Sequence, residues 1–240
     1  SLIGTLLIIP FLLEKIFAPV PDPAGKFVIG SKEHIRRTLL RYRHLPGYPR
    51  VFARCKMMAD PMFKELDQYV KNPRRIIDIG CGFGIPAAWL LEIYPGAKVF
   101  GLEPDEERVL IANRAIGQRG FVQAGLAPDL PSVDGSVDYV TMLDMLHYIN
   151  DEELRLVLGR INKKLETGGT LVIRATVPSD RKFPWKRWIE MIRLKLTNTK
   201  YFFRQEKEIA GLMLDEGFTV DVQASTAIDV EEKWFVGKKS

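Results

Sequence analysis

The chain has 240 residues, 46% hydrophobic and 27% charged, with a formal net charge of +5. That suits one full folded domain with added segments; two ordinary domains would be cramped, and a disordered chain is excluded. Two cysteines, Cys55 and Cys81, and three scattered histidines, His34, His44 and His147, exclude a disulfide framework and a metal cluster and point to a reducing, cytoplasmic setting.

Residues 2–13 (LIGTLLIIPFLL) carry no charge. A bilayer-spanning helix needs about 20 apolar residues, so this stretch alone is too short. A secretory signal wants a positive start and a small-residue cleavage site, and neither is clear. Two readings stay open: the last part of a membrane helix cut from a longer protein, or a helix packed on the domain. In the first, the chain leaves the bilayer at Glu14-Lys15 on the cytoplasmic side, as the basic residues that follow require. The stretch GTLLIIPFLLEKIF resembles the end of the last membrane helix in exporters of the resistance-nodulation-division superfamily. Residues 18–31, rich in Pro and Gly, read as a linker, so the expected division is a segment 1–31 and a domain 32–240.

Charge is unevenly spread. Residues 26–56 hold nine lysines and arginines against the single acid Glu33, and residues 181–207 hold nine against Glu190 and Glu206. The remainder is acidic. Basic patches favour an anionic surface, either lipid headgroups or nucleic acid; a solvated helix face is the plain alternative.

Residues 32–44 and 50–70 show helical spacing, through Ile35, Leu39 and Tyr42 and then Phe63, Leu66 and Val70. From Arg74 the pattern alternates. Strands are expected at 75–79, 98–102, 120–123, 138–143, 170–177, 218–224 and 233–236. Helices are expected at 85–93, 105–116, 151–165 and 205–216. Asn150 with Glu153 forms a capping-box pattern, and Gly168-Gly169 is expected to end the helix before it. This alternation specifies an α/β fold: a seven-stranded, mostly parallel, Rossmann-like sheet covered on both faces. Residues 178–204 form an insertion in which Trp185, Trp188 and Ile192 interleave with Lys186, Arg187 and Arg193. It reads as a basic amphipathic helix, suited to a lipid interface or a lid.

The informative segment is Asp78-Ile79-Gly80-Cys81-Gly82-Phe83-Gly84, between a buried strand and a helix. Ligands of open α/β sheets sit beyond the carboxyl ends of the strands. Glycines let the backbone turn sharply and come close, and the helix start offers free N–H groups. A dinucleotide fingerprint is GxGxxG, whereas Ile85 stands where its third glycine would be. Glu103, ending the second strand, can accept both hydroxyl hydrogens of a ribose.

The segment 78–84 resembles motif I (DxGxGxG) of class I S-adenosylmethionine (SAM)-dependent methyltransferases. Gly125–Pro131 with Asp134–Val140 resembles the GDAxxLPFxDGSFDxV stretch of that family. Leu143–Tyr148 and Leu165–Leu171 resemble its later motifs, so the likeness spans roughly residues 56–238. The resemblance implies SAM as cofactor, with S-adenosylhomocysteine as product. It implies cofactor contacts from Asp78, Gly80, Cys81, Gly82, Gly84, Glu103, Pro104, Gly125, Leu126 and Asp144. For Asp78, support of the loop is the reading preferred over direct contact. Where the family usually has an acid after the third strand's glycine, this chain has Leu126, so adenine falls to backbone groups and apolar packing. His147, four residues past the fourth strand, is the obvious general base, with Asp144 and Tyr148 beside it; Tyr42 or His44 are further candidates. No Asn-Pro-Pro-Tyr type motif follows the fourth strand, which argues against amide or nucleobase amino methylation. The expected acceptor is a small, apolar or lipid-like molecule methylated on oxygen or carbon. Methylation of RNA or DNA, or a non-catalytic SAM-binding domain of a membrane protein, are the alternatives.

Overall fold

The computed structural model describes residues 26–45, 47–178, 201–226 and 231–240. Three helices lead in: α1 (Lys32–Leu40), α2 (Gly47–Ala59) and α3 (Met62–Tyr69). The alternating part follows as β1 (Arg75–Ile79), α4 (Ile85–Ile93), β2 (Lys98–Glu103), α5 (Glu106–Ile116), β3 (Gly120–Ala124), β4 (Val137–Leu143), a 3-10 turn (Leu146–Tyr148), α6 (Asp151–Lys164), β5 (Leu165–Thr176), α7 (Glu206–Asp215), β6 (Phe218–Ala224) and β7 (Glu232–Lys239). The expected division into 1–31 and 32–240 falls partly on residues 1–25, outside the described set. The same holds for the apolar start. Among the described residues no helix is long and apolar enough to cross a membrane.

The seven strands form one sheet in the order β3-β2-β1-β4-β5-β7-β6. The first five run parallel, and β7 pairs antiparallel with both β5 and β6. The chain works outward from β1 to β3, then returns to place β4 on the other side of β1. The order therefore reverses between β1 and β4, and a crevice opens there beyond the carboxyl ends of the strands. Alternation along β1 shows why both faces are covered: Ile76 belongs to one apolar core, with Phe63, Trp89 and Ile111, while Ile77 and Ile79 belong to the other, with Leu154, Leu158 and Ile173.

Several boundaries differ from the sequence reading. The helix expected over 50–70 is two, because Pro61 lacks the N–H that a continuous helix needs; Asp60 instead accepts a hydrogen bond from the Met62 amide at 3.0 Å. The first helix stops at Leu40. The helix before β5 ends at Lys164, ahead of the Gly pair, and Gly168, at φ +77°, lies inside the span of β5. The Asn150–Glu153 capping box is present as read, with reciprocal bonds of 2.9 and 3.0 Å. Of the insertion 178–204, residues 179–200 lie outside the described set, and the described end, Tyr201–Arg204, is not helical.

Two buried charged residues fasten distant segments. Glu65 on α3 accepts bonds from the Ser225 hydroxyl at 3.0 Å, the Thr226 amide at 2.7 Å and the Trp234 indole at 2.6 Å. Burial alone would raise its pKa, but these donors win and lower it. Arg204 donates to the carbonyls of Leu146 at 3.1 Å and Ile149 at 2.7 Å, and to Asp151 at 2.7 Å. It thereby ties the end of the insertion to the turn after β4.

Candidate cofactor site

A cavity of about 490 Å³ lies at the carboxyl ends of β1, β2 and β4. Its floor is the β1–α4 loop. The amides of Gly80 and Cys81 both donate to the Leu102 carbonyl, at 2.8 and 3.2 Å, which folds the loop back onto β2. Gly80, Gly82 and Gly84 all have positive φ, between 57° and 71°, a region costly for residues with a Cβ. At Gly82 a Cβ would meet nothing within 4 Å, so the loop is bare toward the cavity. Gly84 is different: it does not line the cavity, and a Cβ there would stand 3.1 Å from the Ala112 Cβ. The expected cofactor contact from Gly84 is therefore replaced by a packing role between α4 and α5.

Glu103 ends β2 at 4% exposure. One carboxylate oxygen accepts from the Gly82 amide at 2.8 Å and the other from the Asp105 amide at 3.3 Å. Each oxygen keeps a lone pair for another donor, and Arg108 stands 3.7 Å away. Asp78 also lines the cavity. Its Oδ1 accepts from the Thr141 hydroxyl at 2.7 Å, while its Oδ2 is buried without a partner. Burial pushes this carboxyl up to about 7, aided by the charge of Glu103 and opposed by the Thr141 bond. Cys81 lies 6% exposed, its sulfur fitted against Gly101, where a Cβ would come within 2.8 Å. Burial raises its thiol pKa well above the ordinary value, so the side chain is a packing group and only its backbone is offered to a ligand.

Pro104, Gly125, Leu126, Asp144 and Tyr148 also line the cavity, as expected. His147 does not. Its ring stands against those of Tyr148 and Phe203, with centroids 4.1 and 5.7 Å away, and it borders a separate small hollow beside Phe202 and Arg204. The reason is the 3-10 turn over 146–148. Successive side chains in such a turn are rotated by about 120°, so Tyr148 faces the mouth and His147 faces the 201–204 segment. Tyr42 is fully buried, its hydroxyl bonded to the Phe83 carbonyl at 3.0 Å, and is not in the cavity wall. His44 is likewise absent from the lining.

Sequence reasoning missed the wall contributed by α2. Tyr48, Phe52 and Lys56 recur every four residues on one helix face and all line the cavity. Phe52 and Phe83 meet edge to face at 5.5 Å. The adjacent face of α2, about 100° round the helix, carries the buried Pro49, Ala53 and Met57. A four-residue aromatic spacing was visible in the sequence, but nothing said which face would meet the cavity. Arg174, described below, was also missed.

A doubly wound sheet with a bare glycine loop, a carboxylate ending the second strand and a crevice at the reversal of strand order defines an enzyme that binds a nucleoside-bearing cofactor. The methyltransferase-domain family model matches residues 52–223, and the chain belongs to that family. It is 30% identical over 184 residues to an uncharacterized methyltransferase of Synechocystis, covering 72% of this chain and 84% of the relative. It is 28% identical over 150 residues to malonyl-[acyl-carrier protein] O-methyltransferase of Legionella pneumophila, covering 61% of this chain and 51% of that one. It is 35% identical over 106 residues to demethylmenaquinone methyltransferase of Thermus thermophilus, covering 43% and 47%. Its span is thus most of the first relative and about half of the other two. Among solved structures, human N-acetylserotonin methyltransferase in complex with SAM superposes with a TM-score of 0.63 at 16% identity, covering 95% of this chain and 62% of that one. An O-methyltransferase family protein from Burkholderia thailandensis gives 0.63 at 19% identity, covering 99% and 70%. The chain is a SAM-dependent methyltransferase domain of the class I, seven-stranded fold.

Proposed function

We propose that the chain transfers a methyl group from SAM to a small acceptor with an apolar body, on oxygen or carbon. The observation that carries this reading is the composition of one cavity. Three acids, Asp78, Glu103 and Asp144, stand at the strand ends, while Tyr48, Phe52, Met62, Tyr148 and Ile149 supply apolar wall. The residues present fit the cofactor. The unpartnered Oδ2 of Asp78 leaves an acceptor for a cationic or N–H group, and Glu103 keeps lone pairs for a vicinal diol.

The strand order supports one assignment of residues to the parts of the cofactor. Glu103 on β2 holds the ribose. Gly125 and Leu126, following β3, border the adenine, and Leu126, 66% exposed, offers packing where the family offers an acid. Neighbouring strands lie about 4.8 Å apart, so β4 stands about 10 Å from β2 across the loop after β1. Gly80, Gly82 and Asp144 would accordingly hold the methionine end. The bound cofactor supplies a methyl group already activated by its sulfonium. The protein's own task is to align, hold and exclude water. Asp144 and Tyr148 are the groups at the mouth suited to orient an acceptor hydroxyl or take up its proton. Malonyl-[acyl-carrier protein] and demethylmenaquinone, named as acceptors of two relatives, support an acceptor other than nucleic acid.

Calorimetric titration with SAM, S-adenosylhomocysteine and NAD tests the cofactor side. Transfer of labelled methyl from SAM into an organic-soluble fraction tests the acceptor side. Binding of NAD in place of either sulfur compound overturns the cofactor assignment; label found only in nucleic acid overturns the acceptor.

A further inference from the structure

We propose that Arg174, near the carboxyl end of β5, is a positioning residue that aims Asp144 at the methionine end of the cofactor. This rests on the placement of that end given above.

Arg174 is 1% exposed, yet it carries a full guanidinium. Three carboxylates from three separate segments converge on it. Nη1 donates to both oxygens of Asp144, at 3.0 and 2.7 Å. Nη2 lies 2.9 Å from Asp60 Oδ1, at the corner between α2 and α3, and is hydrogen-bonded to Glu232 at the start of β7. The ring of Trp234 covers it, 5.8 Å from the guanidinium carbon. Burial disfavours its charge, but Asp144, Asp60 and Glu232 more than offset that and raise its pKa, so the cation is permanent. A planar fork of fixed donors holds carboxylates in direction as well as distance.

Asp144 is held twice by residue 174. Besides the side-chain pair, its amide donates to the Arg174 carbonyl at 3.0 Å. Its φ is +57°, and only one other non-glycine described residue, Asn72, has positive φ. A non-glycine residue keeps that conformation when its surroundings over-determine it. The left-handed turn swings the carboxylate back over β5 and leaves it one-third exposed in the cavity wall. Lys56 reaches the same carboxylate at 3.6 Å and Asp60 also at 3.6 Å. One buried guanidinium therefore fixes Asp144 directly, while Asp60, which it also holds, is not in the cavity wall. Of these five charged side chains, only Asp144 and Lys56 line the cavity. Arg174 does not line the cavity, so its effect on a ligand runs through Asp144, the lining group it bonds directly.

The test is a double-mutant cycle read on SAM affinity by calorimetry, with thermal unfolding measured in parallel. Asp144→Asn is expected to weaken SAM about tenfold and Arg174→Lys about fivefold. The double variant should bind like Asp144→Asn alone, within about twofold, because the second change has nothing left to misalign. All variants containing Arg174→Lys melt earlier, which a purely structural role also predicts; the missing second effect on affinity is what such a role does not predict. If the two losses multiply, or if Arg174→Lys binds SAM as the wild type does, the assignment is overturned. Should Arg174→Lys fail to fold, the guanidinium N–H resonances of Arg174 in the wild type, titrated with SAM and compared with Asp144→Asn, give the same answer. They shift in the first and not in the second if Arg174 acts through Asp144; resonances that stay still in the wild type overturn it. A wild type that binds neither SAM nor S-adenosylhomocysteine refutes the cofactor placement itself, a result separable from every outcome above.

Discussion

At the residue scale the site is a set of acids in unequal surroundings. Glu103 is ringed by donors, whereas Asp78 has one hydroxyl and a bare oxygen. Because burial lifts the Asp78 carboxyl from 3.8 to about 7, the folded state favours its neutral form. The associated stability is complete below the unfolded value near 3.8 and is lost as pH rises through about 7. The ligand-free protein should therefore melt at lower temperature at pH 8 than at pH 5. Asp78→Asn should flatten that slope, which carries on the order of 4 kcal/mol when ionisation is complete. Thermal scans across that range check it. A cationic cofactor group that meets the bare oxygen should bind more tightly over the same rise in pH. For Glu103→Gln, loss of a charged acceptor should weaken SAM by about 10- to 100-fold with little change in melting temperature, which calorimetry checks.

The residues also show what a sequence reveals and what it hides. Glu103 and the glycine loop were legible because their chemistry depends on local backbone and a strand end. His147 was misplaced because counting from the end of β4 says nothing about the rotation of a 3-10 turn. Arg174 was half legible. A lone cation in the run Thr170–Val177 announces a buried charge that needs partners, but those partners come from residues 60, 144 and 232, which only the tertiary fold brings together.

At the element scale, the joints decide stability. Gly84 caps α4 at φ +70° with Ala112 3.1 Å from where a Cβ would stand. Gly84→Ala should cost about 1–2 kcal/mol in urea unfolding while leaving SAM affinity within about twofold, since Gly84 is outside the cavity wall. Glu65 ties α3 to the hairpin of β6 and β7. Glu65→Leu strands the Trp234 indole and the Thr226 amide, so about 3 kcal/mol should be lost, again read from urea unfolding. The strands and most helices were legible from alternation and capping. The break at Asp60-Pro61 was not drawn although Pro61 announces it, because apolar spacing on both sides mimics one continuous helix.

For the whole molecule, two apolar cores on opposite faces share β1, β4 and β5 as their common wall. Amide exchange should be slowest in β1 and β4, which are paired on both sides and buried, and faster in β6 at the sheet edge. The basic segment that precedes β1 is partly self-neutralised: Glu33 pairs with Arg36 and Arg37 at 3.3 Å, and Glu92 with Arg41 at 2.6 Å. The charge balance along the chain was legible; this internal pairing was not, since Arg41 and Glu92 lie far apart in sequence.

The antiparallel β7 slots between β5 and β6 although it is the final strand of the seven to be synthesised. It brings both the carboxylate that completes the grip on Arg174 and the indole that satisfies Glu65. While that stretch is still inside the ribosome, five parallel strands can assemble, but β5 presents a raw hydrogen-bonding edge and its guanidinium has two of its three carboxylates, Asp60 and Asp144. The buried charge cluster behind Asp144 is thus completed only when the closing strand arrives, although every residue lining the cavity has been made by then.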